Sequence, residues 1–217
     1  MIVAIDGPAA AGKGTIAQRL AAHYRLPYLD TGLLYRAVAK EMTERGLDID
    51  DPETAGRIAA SLDTGRLADP ELRGHHAGEL ASRVAVHRPV RAALLEFQRH
   101  FADRLGGAVL DGRDIGTAVC PDADVKIFVT ASAEVRARRR TDELRAKGRD
   151  VDYGRILAEI RARDARDSSR AAAPLKPAVD AHLLDTTDKD IEAAFRAAVE
   201  IIERAKQKRE RRGVHET

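Results

Sequence analysis

The sequence predicts an α/β fold in which a parallel, doubly wound sheet carries helices on both faces. Three observations predict it. Five short apolar runs are separated by stretches with helical periodicity, the pattern of strands joined by crossover helices. The first run passes directly into a glycine-rich loop and then a helical pattern. The chain of 217 residues is 44% hydrophobic and 33% charged, which suits one sizeable core with insertions better than two domains.

The first run is Ile2-Val3-Ala4-Ile5, followed by Gly7-Pro8-Ala9-Ala10-Ala11-Gly12-Lys13-Gly14-Thr15 and a helix from Ile16 through Ala22. Strand, glycine loop and helix in that order are the context of a phosphate-binding P-loop. Gly7 and Gly12 let the backbone curl around an anion, so that N–H groups and the positive end of the helix face it. Lys13 is placed to reach the outer phosphates of a nucleoside triphosphate, and the Thr15 hydroxyl can serve phosphate or magnesium.

The other runs are Pro27-Tyr28-Leu29-Asp30, Ala108-Val109-Leu110-Asp111, Val125 through Val129, and His182-Leu183-Leu184-Asp185. Ligands in such sheets bind outside the carboxyl ends of the strands, so Asp30 and Asp111 are expected to point into the crevice. Asp111, closing an apolar strand, has the Walker B arrangement: a carboxylate near the magnesium that bridges donor phosphates. Arg113 then projects into the same space. The last segment, Asp188 to about Arg212, repeats apolar residues at helical spacing, with Thr187 and Asp190 as a capping box. Its basic end, Lys206 to Arg212, reads as a solvated helix terminus complementing the dipole.

Two stretches read as insertions. Residues 33–90 are turn-rich and weakly apolar. Residues 136–173 are dense in arginine, including Arg136, Arg139, Arg140, Arg163, Arg166 and Arg170. Phosphoryl transfer needs permanent positive charge and exclusion of water, so an arginine-rich helical lid fits a kinase. His75-His76 lacks metal-ligand spacing and is expected in an exposed loop.

Net charge of +2 is too small to imply a nucleic-acid partner, and no apolar run approaches bilayer length. The one cysteine, Cys120, precludes an internal disulfide and reads as a small buried apolar group. With the first strand expected from residue 2, no signal or transit peptide is expected, and the location expected is cytoplasmic.

Together, Gly7-Pro8 with Gly12-Lys13-Gly14-Thr15, Leu29-Asp30-Thr31-Gly32-Leu33-Leu34-Tyr35-Arg36, Asp111-Gly112-Arg113-Asp114-Ile115-Gly116-Thr117, Phe128-Val129-Thr130-Ala131-Ser132 and Arg163-Asp164-Ala165-Arg166-Asp167 resemble the bacterial cytidylate kinases, in order and over nearly the whole chain. The resemblance implies a P-loop NTPase fold with a five-stranded core, formed by residues 1–32, 91–135 and 174–217 of one kinase domain. Residues 33–90 would bind the acceptor and residues 136–173 would form the lid. The implied reaction transfers the γ-phosphoryl group of ATP to CMP or dCMP with magnesium, in a monomer without nucleic-acid or membrane partners.

Residue by residue, the resemblance gives the donor phosphates to Lys13 and the loop Gly7, Pro8, Ala9, Ala10, Ala11, Gly12, Gly14 and Thr15. Arg36 and Arg113 would grip the acceptor phosphate. Ser82, Arg91 and Asp114 would read the base. Thr31, Tyr35, Arg163, Asp167 and Arg170 would surround the sugar and phosphates. Arg139 and Arg140 look like donor-phosphate or transition-state ligands. Thr15 and Asp111 would serve magnesium, Asp111 through water and not as a general base, because a phosphate nucleophile is already ionised.

Cytosine offers an amino donor and two acceptors, which suit the Asp114 carboxylate and the Arg91 guanidinium; uracil reverses the first feature. The chain departs from the family pattern at Thr31, usually serine, and at Gly14, which moves the P-loop hydroxyl to Thr15. Ser61 to Glu79 is short and carries little β-pattern where the family has a strand hairpin, so the acceptor-binding insertion reads as shortened. A P-loop kinase of UMP or another small acceptor is the enzyme alternative. A non-catalytic nucleotide- or RNA-binding module is the other, although such a binder needs no second-substrate set like Arg36, Arg113 and Asp114.

Overall fold

The computed structural model describes residues 1–104 and 106–213. Strands β1 (Ile2–Asp6), β2 (Tyr28–Asp30), β3 (Ala108–Gly112), β4 (Val125–Thr130) and β5 (His182–Asp185) form one sheet in the order β2-β3-β1-β4-β5. Every pairing is parallel. The helices are α1 (Lys13–Tyr24), α2 (Thr31–Glu44), α3 (Pro52–Ala60), α4 (His75–Val84), α5 (Arg88–Ala102), α6 (Ala133–Ala146), α7 (Tyr153–Ser169) and α8 (Ile191–Gly213). This is the P-loop NTPase fold that the strand–loop–helix order predicts. The chain leaves central β1 toward both edges, so the crevice opens at the carboxyl ends of β1, β3 and β4.

The central strands are apolar on both faces, because both are covered. Val3 and Ile5 pack with Ile16, Leu20, Ala198 and Ile202 of α1 and α8. Ala4, Leu29 and Leu110 pack on the opposite side with Ala102 of α5 and with Ile115 and Val119. A continuous hydrophobic run is therefore what these strands require, and alternation is not.

The insertion after β2 builds a core of its own from Leu34, Val38, Met42, Ile58, Val84, Val90 and Leu94 on α2 to α5. Between α3 and α4 lie two 3₁₀ turns, Thr64–Ala68 and Pro70–Arg73, each started by an aspartate, Asp63 and Asp69, that accepts a backbone N–H. Among the described residues no strand lies between β2 and β3. The stretch Ser61 to Glu79, with its weak β-pattern, thus becomes two turns and the start of α4. The arginine-rich stretch folds as a helical hairpin of α6 and α7 around Ala137, Leu144, Ile156 and Ile160, with Ser132 and Asp152 as N-caps.

Two expectations need correction. The last helix does not start from a Thr187–Asp190 box. Thr187 donates its hydroxyl to Asp185 Oδ1 at 2.6 Å, and it is Asp190 Oδ1 that accepts from the Ala193 amide at 2.7 Å. A nearer carboxylate captures the threonine, so the helix begins at Ile191. His75 and His76 do not lie in a loop; they open α4, where His76 is exposed and the side chain of His75 lies outside the described residues. Cys120 is buried, as expected.

Candidate active site

The P-loop leaves β1 through Gly7, whose φ is +152° and where a Cβ would lie 2.0 Å from the Val129 carbonyl oxygen. Only glycine lets the loop pass so close to β4. Ala10 at φ 60° and Gly12 at φ 87° complete the curl. No side chain caps α1 at Gly12. Its first-turn N–H groups therefore remain available to an anion.

The loop forms one wall of a crevice of about 710 Å³, lined also by Lys13, Gly14, Thr15, Asp30, Arg36, Arg113, Arg140 and Arg163. Cations outnumber carboxylates here. Burial, and then the neighbouring Arg113, pull the Lys13 ammonium down to about 8. Burial and Arg113 likewise lower Arg163, to about 10. Such a cluster is electrostatically uncomfortable when empty and favours polyanions.

Asp111, 2% exposed, sits beneath the P-loop, where burial raises its pKa against the opposing charge of Lys13. The Tyr28 hydroxyl donates to Asp111 Oδ2 at 2.9 Å. Thr31, first residue of α2, donates its hydroxyl to the Asp111 carbonyl at 2.8 Å. Asp30 accepts from the Gly32 amide at 3.0 Å and so starts α2.

Further along, Arg36 Nη1 donates to the Leu72 carbonyl at 2.8 Å, which places it against the second 3₁₀ turn. Arg113 donates to the Gly112 carbonyl at 3.0 Å and to Asp167 Oδ2 at 3.1 Å. Ser82 donates to Asp167 Oδ1 at 3.0 Å, and Arg163 lies 3.9 Å from the same carboxylate. Burial pushes Asp167 up, but Arg113, Arg163 and Arg170 outweigh it and hold the carboxyl below its ordinary value. Beyond Arg113, Asp114 accepts from Arg91 and, at 3.4 Å, from Arg170 Nη2. The Arg91 guanidinium lies 5.7 Å from the Tyr35 ring centre. Arg91 Nη1 and Arg163 Nε are buried without a hydrogen-bond partner. Buried donors of this kind are rare in finished networks and mark places where a ligand acceptor fits.

Of the expected site residues, Ala9, Ala10, Lys13, Gly14, Thr15, Arg36, Arg113, Arg140 and Arg163 line the crevice. Ser82 and Asp167 join it through Arg113, and Asp114 with Arg91 and Arg170 forms a buried cluster behind it. Arg139 does not line it. It donates to Thr186 Oγ1 at 3.1 Å, to the Thr186 carbonyl at 2.6 Å and to the Lys189 carbonyl at 3.3 Å, in the loop after β5. Arg140 does line the crevice, with Glu143 2.6 Å away.

Sequence reasoning passed over four residues. Asp6 accepts from the amides of Ile115 and Gly116 at 2.7 and 2.8 Å, and so fixes the wide π turn over Ile115–Val119 that follows Arg113 and Asp114. An aspartate ending a strand was the available signal, as at Asp30 and Asp111. Arg136 bonds Asp164 in bidentate fashion at 3.0 and 2.6 Å and reaches the Ala9 carbonyl at 3.2 Å. Thr186 donates to the Ala11 carbonyl at 3.0 Å. Tyr28, fourth, had no signal beyond its place at the head of a strand.

A family profile described as cytidylate kinase matches residues 3–204. The chain is 61% identical over 205 residues to a cytidylate kinase of Methylocella silvestris, covering 94% of this chain and 95% of that one. It is 58% identical over 204 residues to a cytidylate kinase of Brucella suis biovar 1, covering 94% and 93%. Among solved structures, an uncharacterized protein from Eubacterium ventriosum aligns with a TM-score of 0.54 at 14% identity, over 94% of this chain and 98% of that one, a likeness of fold.

Proposed function

The chain belongs to the cytidylate kinase family and transfers the γ-phosphoryl group of ATP to CMP or dCMP, and from that premise we propose how the crevice residues carry the reaction. The P-loop amides from Gly7 to Thr15 and the Lys13 ammonium hold the donor phosphates. Arg36, Arg113 and Arg163 hold the acceptor phosphate, with Asp167 and Ser82 setting the orientation of the arginines. Tyr35, Arg91, Asp114 and Arg170 hold the cytidine end. Arg140 faces the transferring group, and Arg139 joins it when the lid of α6 and α7 closes, exchanging Thr186 and Lys189 for phosphate.

The observation that carries the reading is the Asp114 carboxylate clamped between Arg91 and Arg170, next to the arginines of the crevice. A carboxylate there accepts from the cytosine amino group, while the unpartnered Arg91 Nη1 has a donor to offer the ring acceptors. Uracil would set an acceptor oxygen against the carboxylate and its ring N–H against the Arg91 donor, like against like. In a panel of CMP, dCMP, UMP and AMP with ATP, CMP and dCMP should be the preferred acceptors. The Asp114→Ala variant should lower the CMP-over-UMP ratio of kcat/KM by roughly 10²-fold. An unchanged ratio would overturn the assignment.

Catalysis by these residues is positioning and charge neutralisation, since the attacking phosphate is ionised at neutral pH and needs no base. The donor set fits magnesium. Among the described residues no group of three or more His, Cys, Asp or Glu could hold a metal by itself. Magnesium on a nucleotide needs only one or two hard oxygens from the protein, and Asp111 with the exposed Thr15 hydroxyl supplies them. When bound, the ion neutralises charge on the donor phosphates. Asp111, through water, and Thr15 would be the residues to hold it.

The reading includes action as a monomer. Among the described residues no helix is long and apolar enough to cross a membrane. The single buried cysteine suits the reducing cytoplasm proposed for it.

A further inference from the structure

P-loops commonly place a hydroxyl directly after their lysine, facing the strand-end carboxylate. Position 14 here is glycine. It lies in the first turn of α1 in ordinary helical conformation, so its backbone does not require glycine. A Cβ built on Gly14 would lie 3.2 Å from Asp111 Oδ2 and 3.9 Å from the Tyr28 hydroxyl oxygen. The space a serine would occupy therefore borders one particular carboxylate oxygen. That oxygen is the one that accepts from Tyr28 at 2.9 Å.

We propose that Tyr28 is a positioning residue that holds Asp111 in place of the hydroxyl absent at position 14. The sheet supplies the register. Tyr28 pairs with Val109 and Asp30 with Asp111, so Tyr28 stands diagonally across from Asp111 on the same face of neighbouring strands. Gln18, one helical turn after Gly14, lines the crevice together with Tyr28. The carboxylate is 2% exposed. A carboxylate so deeply buried keeps one orientation only if a directed donor holds it; the neighbouring Lys13 gives charge without direction. Holding one oxygen fixes the plane of the group, and with it the face presented to the metal's water shell. Glycine at 14 is then the partner of tyrosine at 28: a Cβ there would press on the carboxylate oxygen that the phenol holds, at 3.2 Å, and only touch the phenol itself, at 3.9 Å.

The inference rests on the magnesium-side role proposed for Asp111, and the test separates the two. Binding of a non-hydrolysable ATP analogue is measured by calorimetry in magnesium and in EDTA. In the Tyr28→Phe protein, magnesium should strengthen binding roughly tenfold less than in the parent, with the metal-free Kd unchanged. Steady-state kinetics should show the same split: KM for magnesium rises while KM for CMP holds. Gly14→Ser placed in the Tyr28→Phe protein should restore most of the magnesium effect, and Gly14→Ser in the parent should give no gain. Far-UV melting curves establish that each variant is folded.

An equal loss in magnesium and in EDTA would overturn the proposal, since Tyr28 would then merely shape the pocket. So would an unaltered magnesium effect in Tyr28→Phe when Asp111→Asn abolishes it. If Asp111→Asn leaves the magnesium effect intact, the assignment of Asp111 itself fails, and Tyr28 falls with it. Should the serine variant not fold, the Tyr28→Phe and Asp111→Asn pair still decides.

Discussion

Lys13 shows how a functional residue opposes the stability of its own fold. Burial and Arg113 depress its pKa from 10.5 to about 8, so the empty protein carries a cation its surroundings disfavour. The sign follows from linkage. With the folded value below the unfolded one, the penalty is complete below pH 8 and fades as the pH rises toward 10.5. Lys13→Met keeps the aliphatic stem and removes the charge. It should raise the stability of the empty protein at pH 7 by about 1–3 kcal/mol, less above pH 9, and lower turnover by roughly 10³-fold or more. Denaturant unfolding beside a coupled ADP assay checks both; a less stable variant, or near-normal turnover, would refute the account.

The lid helices show that arginines equal in composition differ in worth once placed. Arg155 pairs with Glu159 and Arg161 with Glu134 on the exposed surface. Such pairs contribute about 0–1 kcal/mol each. Arg136 is 4% exposed and binds Asp164, the Ala131 carbonyl and the Ala9 carbonyl, joining α6, α7 and the P-loop. Arg136→Met should destabilise by about 2–4 kcal/mol, whereas Arg161→Ala should change stability by about 0.5 kcal/mol. Hydrogen exchange should quicken across α6 and α7 in the first variant alone. Equal effects of the two substitutions would show that Arg136 is not the tie between lid and loop.

At the scale of the whole molecule, strand-end carboxylates gather at the carboxyl ends of the strands, and Asp6 is buried among them at 5% exposed. Burial raises it from 3.8 to about 6 despite the two amides it accepts from. A raised folded value means that its contribution is complete below about pH 4 and lost as the pH climbs through 6. Asp6→Asn does not titrate. The stability advantage of the parent over this variant should therefore shrink by about 2 kcal/mol between pH 4.5 and pH 7, read from urea curves at the two values. A gap independent of pH would mean that Asp6 keeps an ordinary pKa.

The strands, the P-loop and the crevice arginines Arg36, Arg113, Arg140 and Arg163 were legible in the chain, because each rests on a local requirement. A strand covered on both faces must be apolar, a loop wrapping an anion needs Gly7 and Gly12, and a strand-end aspartate has one direction to point. Less was legible where a residue chooses between neighbours. Thr187 looked like a helix cap until Asp185 proved nearer. Arg136 and Arg161 read alike in a run of cations and Arg139 as a phosphate ligand, yet Arg136 ties the P-loop, Arg161 meets solvent and Arg139 bonds the loop after β5. Gly14 read as a departure, and only the pairing of β2 with β3 set Tyr28 against the carboxylate above which that glycine leaves room. Chemistry written into types and spacings was determined by the sequence alone. Which hydrogen bond each side chain spends its donors on was decided by tertiary structure, because that choice depends on distances between groups far apart in the chain.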